Sequence, residues 1–202
     1  MSTYTDIRYD YNLPSGSGGS LTLLQTNTIT SGVANSSFTS NIDSSYRTYI
    51  FKWFNCHPSA TSADFSFNMS TDGGSNYNVT KTSANARAYH RENGIQSSLV
   101  YDTGKDLAQS TAYQHLGTAV SSVNADEGCS GQLFLFSPSS TTFVKHYLAA
   151  TSNNQTISGV GNFYYNFYHG GYGNTTSAVD AIDFKFASGN IDSGIIKMYG
   201  IA

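Results

Sequence analysis

Charge is what this chain has least of. Of its 202 residues only 10 are Lys or Arg and 13 are Asp or Glu, 11% in all, where ordinary soluble domains carry about 25%. A net charge of -3 leaves no cationic footprint for a nucleic acid, and the Ala/Glu/Lys/Leu-rich composition of a coiled coil is missing. Proline is scarce, with three residues. Cysteine is scarcer: Cys56 and Cys129 are the only two, far apart, each within an expected strand, with no disulfide framework or metal-ligand spacing. They are read as free thiols packed as small apolar side chains; a single disulfide between them stays open. No apolar run approaches the roughly 18 residues of a membrane helix, so no membrane insertion is expected. The first residues, from Met1 to Asp6, offer neither a basic n-region nor an apolar h-region, so no secretory leader is expected and synthesis in a cytoplasm is.

Aromatic residues and glycine fill the space that charge leaves. Tyr contributes 15 residues, Phe 12 and Gly 19. So many aromatics with so little charge exclude disorder over most of the length, because a disordered chain has the opposite composition. The apolar residues recur with period two. In 63–70, Phe65, Phe67 and Met69 alternate with Asp64, Ser66 and Asn68, the pattern of a half-buried strand. In 46–56, Ile50 and Phe54 lie on one face and Tyr49, Phe51 and Trp53 on the other, as in a strand covered on both sides. Further strands are expected at 21–30, 95–101, 113–123, 131–137, 142–150, 160–168, 180–187 and 194–201, with a return strand starting near Tyr77 and Val79. Gly, Ser, Asn and Asp separate them. The spacing predicts an all-β antiparallel sandwich, jelly-roll-like, as a single domain over 21–202. A short helical turn is expected near 103–112. The last strand, ending Met198-Tyr-Gly-Ile201, is too apolar for a free edge and is expected inside a sheet.

Residues 1–20 stand apart. Tyr4, Ile7, Tyr9, Tyr11 and Leu13 form an aromatic-apolar stretch, and Pro14-Ser-Gly-Ser-Gly-Gly-Ser20 follows as a flexible linker. The stretch is either an edge strand lying back on its own domain or an arm that docks on a neighbouring subunit. The second reading is favoured, which makes 1–20 an attachment segment and those five residues its anchor.

Three segments, in order, carry a resemblance. Asn41-Ile-Asp-Ser-Ser-Tyr46 leads into a strand that ends in Asn55-Cys-His-Pro-Ser59; Ser70-Thr-Asp-Gly-Gly-Ser-Asn-Tyr77 follows a short strand; and Ser188-Gly-Asn-Ile-Asp-Ser-Gly194 precedes Met198-Tyr-Gly-Ile201. Together they resemble a broad group of small virion proteins of tailed bacteriophages, frequent in phages of marine bacteria, that serve as tail-fibre, head-fibre or capsid-decoration components. The resemblance covers about 21–202 and leaves 1–20 unmatched. It implies a non-enzymatic protein on the particle exterior, made in the host cytoplasm. It also implies a homo-oligomer, a trimer by analogy, that docks on a capsid or tail protein and presents loops such as 168–176 to the host.

The search for chemistry returns mostly structural readings. The five histidines, His57, His90, His115, His146 and His169, lack zinc-site spacing, and His57 before Pro58 reads as a turn residue. No Gly-x-Ser-x-Gly or Ser-x-x-Lys occurs. The acids fall in loops or on polar faces and do not suggest a glycosidase pair. The loop 71–78 offers oxygens but lacks the ligand pattern of a calcium-binding EF-hand loop, and reads as a hairpin turn. Neither a metal nor another cofactor is expected. The richest segment is 161–173, Gly-Asn-Phe-Tyr-Tyr-Asn-Phe-Tyr-His-Gly-Gly-Tyr-Gly. Its Tyr164, Tyr165, Tyr168, His169 and Tyr172 could stack on a host surface glycan, which would make the chain a receptor- or glycan-binding fibre tip or a stand-alone carbohydrate-binding module. The competing reading, favoured here, packs these aromatics into the core or a subunit interface.

Overall fold

The computed structural model describes residues 21–124 and 127–201. The five anchor residues Tyr4, Ile7, Tyr9, Tyr11 and Leu13 lie outside the described residues. Twelve strands are present: β1 Thr22–Ile29, β2 Ser36–Phe38, β3 Thr48–Pro58, β4 Ala63–Ser70, β5 Lys81–Arg91, β6 Ser97–Tyr101, β7 Gln114–Val120, β8 Cys129–Phe136, β9 Lys145–Ile157, β10 Gly161–Gly173, β11 Ala181–Phe186 and β12 Ile191–Ile201. Every pairing is antiparallel. There is no helix among the described residues, including 103–112, where a hydrogen-bonded turn (Lys105 N–H to the Asp102 carbonyl, 3.1 Å) takes its place.

The strands form an eight-stranded sheet in the order β1-β12-β3-β8-β9-β10-β5-β6 and a four-stranded sheet in the order β2-β11-β4-β7. Setting aside two hairpins, β5-β6 and β9-β10, leaves eight strands in two sheets ordered β1-β12-β3-β8 and β2-β11-β4-β7. That is the double Greek key of a jelly roll, so the expected antiparallel sandwich is what the chain forms. The two hairpins then add four strands beyond β8, so the large sheet overhangs the small one. β12 lies between β1 and β3, an inner position, as its apolar sequence requires.

Period-two alternation sends one side of each strand inward. Tyr49, Phe51 and Trp53 of β3 and Leu133 and Leu135 of β8 meet Phe65, Phe67 and Met69 of β4 and Ile182 and Phe184 of β11 in one buried core. Phe184 is its centre, with five rings (Phe38, Phe51, Trp53, Phe65 and Phe67) at centroid distances of 5.6–6.3 Å. Under the overhang the inner face builds a second cluster. Phe163, Tyr165, Phe167 and His169 stack down β10 at 5.8–6.1 Å. The guanidinium of Arg87 covers the rings of Tyr89 and Tyr165 at 5.7 Å, and that of Arg91 covers Phe163 at the same distance, contacts that suit a partly desolvated rim.

Cys56 and Cys129 are cross-strand partners of β3 and β8, both buried free thiols. The 71–78 loop is a turn that holds itself: the Asp72 carboxylate accepts from the Ser70 hydroxyl, the Asn76 N–H and the Asn76 amide at 2.7–2.9 Å.

Candidate functional site: the outer face of the large sheet

The face of the eight-stranded sheet turned away from the core is where the exposed aromatic surface collects. In register across the strands runs a row Leu23–Tyr199–Ile50–Phe134–Leu148–Gly170–Ala84. Beside it runs Lys197–Lys52–Gln132–Ala150–Tyr168–Ala86–Tyr101. Small side chains at Ala84, Ala86, Ala150 and Gly170 sink the middle of these rows between Phe134, Leu148, Tyr168 and Tyr101, leaving an apolar groove of about 470 Å³. Its walls are well exposed: Leu148 is 54%, Tyr168 53% and Tyr101 55% accessible.

Within these two rows the charged groups are two ammonium groups. Lys52 and Lys197 stand directly opposite each other across β3 and β12, like charges at the spacing where they repel. Lys197 finds the ring of Phe54 at 6.0 Å. No carboxylate is paired with either lysine among the described residues.

A second, polar cleft of about 740 Å³ opens where β3, β8 and β12 depart from regular geometry. Pairing slips between Trp53 and Cys56, between Ile191 and Ser193, and between Ser193 and Ile195. Asn55 takes a left-handed φ of 47°, an uncommon choice for a non-glycine residue. Its N–H donates to the Ser130 hydroxyl at 2.9 Å, and that hydroxyl donates back to Asn55 Oδ1 at 3.2 Å. Gly194, at φ 142°, leaves no room for a side chain, because a Cβ would stand 2.9 Å from both Cα and Sγ of Cys56. Tyr164 forms one wall; its hydroxyl accepts from Ser152 at 3.0 Å and donates to Asn166 Oδ1 at 3.2 Å. A third depression, lined by Phe54, Asn166 and Tyr168, joins the groove to the cleft.

The five candidate residues of β10 are thereby separated. Tyr164, Tyr168 and Tyr172 reach the outer face, Tyr172 with its hydroxyl 3.3 Å from the Gln109 amide. The side chains of Tyr165 and His169 point inward and are buried, away from the other three. Burial pushes the His169 imidazole down to about 4, and its Nε2 lies 3.0 Å from the Leu116 carbonyl. The segment 168–173 is strand, not loop, so the expected host-facing loop begins only after Gly173. Sequence reasoning missed Leu148, Phe134 and Tyr101 as groove walls, and Asp192 and His57 as cleft residues. Each belongs to a different strand, and only the pairing register brings them together.

Elsewhere, Asp64 gathers Lys105 Nζ at 2.7 Å, His115 Nδ1 at 3.2 Å and the Ala119 N–H at 2.7 Å. Burial alone would raise its carboxyl; the bonds from His115, Lys105 and Ala119 outweigh that and hold it near 2. Lys81 is buried with its ammonium on Asn68 Oδ1 and the Val79 carbonyl, and burial lowers it to about 7. No group of three or more His, Cys, Asp or Glu side chains arranged to hold a metal occurs among the described residues, and no helix there is long and apolar enough to cross a membrane.

No protein-family model matches the chain, and neither a curated protein nor a solved structure does.

Proposed function

We propose that this chain is a structural protein on the exterior of a tailed-bacteriophage particle, a capsid-decoration or fibre component that works by docking. The observation that carries the proposal is the outer face of the large sheet: two neighbouring rows of aromatic and aliphatic side chains, several of them well exposed, in which Lys52 and Lys197 are the charged members. Contiguous exposed apolar surface of this kind marks contact sites, and interface cores are rich in aromatics and poor in charge. Jelly rolls recur in capsid and lectin domains; that is analogy of fold, and the face is what argues for contact. In this reading the large sheet meets further copies of the chain in a homo-oligomer, a trimer by analogy with fibre and decoration proteins. The segment 1–20, through Tyr4, Ile7, Tyr9, Tyr11 and Leu13, ties the assembly to a capsid or tail protein.

The lysine pair sharpens the test. Two ammonium groups facing each other on an apolar sheet are stabilised by a carboxylate brought by the partner. Replacing Lys52 by Glu pairs the two charges within one chain and removes the attraction. The expected outcome is an oligomer for the native chain by light scattering and, for Lys52→Glu, a monomer that still melts cooperatively. Gold-labelled antibody against the chain is expected to decorate the outside of intact particles. A native chain that stays monomeric at micromolar concentration, and particles without label, would sink the proposal.

A further inference from the structure

We infer that the polar cleft at the distorted ends of β3, β8 and β12 is a binding site for an uncharged oligosaccharide, read by Tyr164, His57 and Asp192. This deepens the exterior-component reading by naming what such a particle protein would touch on a host. It rests on that reading only for the biological source of the sugar.

Four observations converge on the cleft. Its volume of about 740 Å³ lies within the ~300–1,000 Å³ of small-ligand sites. The backbone irregularities of three neighbouring strands meet there, and bulges are found beside sites, where they re-aim side chains. Polar groups in it lack protein partners among the described residues: the His57 ring, the Asp192 carboxylate, the Ser193 hydroxyl and Asn55 Nδ2. One aromatic ring is held ready: Tyr164 is fixed by its bonds to Ser152 and Asn166, so less rotamer freedom is lost when a ligand stacks on it.

The chemistry selects the ligand class. A sugar ring offers an apolar face of C–H groups to Tyr164 and vicinal hydroxyls to Asp192, whose carboxylate oxygens accept two hydrogen bonds. Asn55 and His57 supply donors for ring and glycosidic oxygens. Anionic sugars and phosphates are disfavoured, because among the described residues no Lys or Arg lines the cleft whereas Glu127 and Asp192 do. The Glu127 carboxylate is spent on the Val123 and Asn124 N–H groups and the Thr156 hydroxyl, which leaves Asp192 as the carboxylate free for the ligand. The adjoining depression with Phe54, Asn166 and Tyr168 gives a chain of more than one sugar somewhere to continue.

The test uses the full chain and four neutral probes: maltotetraose, laminaritetraose, mannotetraose and chitotetraose. Binding is followed by calorimetry and by the ring signals of the tyrosines in NMR spectra. At least one probe is expected to bind with millimolar or tighter affinity and to shift the Tyr164 ring. Tyr164→Ala and Asp192→Asn are each expected to weaken it about tenfold or more, near 1.4 kcal/mol or above, with unchanged melting temperature, while Tyr172→Ala, on the same strand but outside the cleft and its adjoining depression, leaves it within about twofold. No binding of any probe at about 10 mM overturns the assignment. So does tighter binding of an anionic control such as oligogalacturonate, or loss of binding on Tyr172→Ala with Asp192→Asn unaffected. A chain that binds a probe but is absent from particles overturns the exterior-component reading alone, and a particle-borne chain that binds none overturns the cleft alone.

Discussion

Individual side chains set how the fold answers to pH and to thiol reagents. His169 is stacked on Phe167 and buried, and its imidazole is held down near 4 by burial. In the unfolded chain the same group titrates near its ordinary 6.5. As pH falls the unfolded chain therefore binds the proton first. The stabilisation is complete above about 6.5, declines between 6.5 and 4, and is gone below; the full effect is about 3 kcal/mol. Urea midpoints at steps from pH 7 to pH 4 are expected to fall more steeply for the native chain than for His169→Gln, which cannot titrate there. Parallel slopes would contradict the buried neutral imidazole. Asp64 acts in a separate, lower window: its carboxyl is held near 2 against an ordinary 3.8, so that contribution is lost only as pH falls below about 4. The two thiols give an independent check. Burial pushes Cys56 up to about 12 and Cys129 well above 9, and thiolate is the reactive form. Ellman's reagent is expected to find neither thiol in native buffer and both in denaturant. A native reaction, or no reaction after unfolding, would mean exposure or a disulfide.

At the scale of strands, the alternation of large and small residues is as decisive as the alternation of apolar and polar. Trp53 of β3 faces Gly131 of β8, and a Cβ on Gly131 would stand 2.5 Å from the indole and 2.4 Å from the Ala150 carbonyl. Neither can retreat in the middle of an eight-stranded sheet. Gly131→Ala is expected to destabilise by about 1–3 kcal/mol, the usual cost of overpacking, read as a lower denaturation midpoint. An unchanged midpoint would show that the sheet opens there. The clean alternation in β4, β8 and β11 made those strands legible in the sequence, and the apolar terminal segment announced an inner strand. Less was legible where propensity and position disagreed. β2 is only Ser36–Phe38, too short to show a period. β9 runs on through Thr151-Ser-Asn-Asn-Gln-Thr156, polar residues that read as a turn, because long hairpin pairing with β10 overrides their weak strand preference. The start of β12 at Ile191 was hidden for a related reason: the bulges at Ser193 break the period that reveals a strand. The candidate site followed the same logic. Tyr164, Tyr168 and Tyr172 were visible as a tyrosine-rich run, but that run mixed both faces of one strand. Period two assigns Tyr165 and His169 to the inside, whereas the groove and cleft walls on other strands needed the register.

For the molecule as a whole, the question is which part folds and which part fastens. Both sheets, the core around Phe184 and the ladder beneath the overhang are built from residues beyond position 20. Strand β1, the first described, is already paired along Thr22–Ile29 with β12 and has no second neighbour among the described strands. A chain lacking residues 1–20 is therefore expected to melt cooperatively within a few degrees of the full chain, and to keep the oligomeric state set by the large sheet. In a co-sedimentation assay with purified particles, the full chain is expected to pellet and the truncated chain to remain in the supernatant. Collapse of the truncated chain would make the leading segment part of the sandwich, an added strand on the open edge of β1. Pelleting of a well-folded truncated chain would shift attachment to the apolar face itself. The melt and the pellet thus separate folding from fastening, because an arm that anchors affects only the second and an arm that completes the sheet affects both.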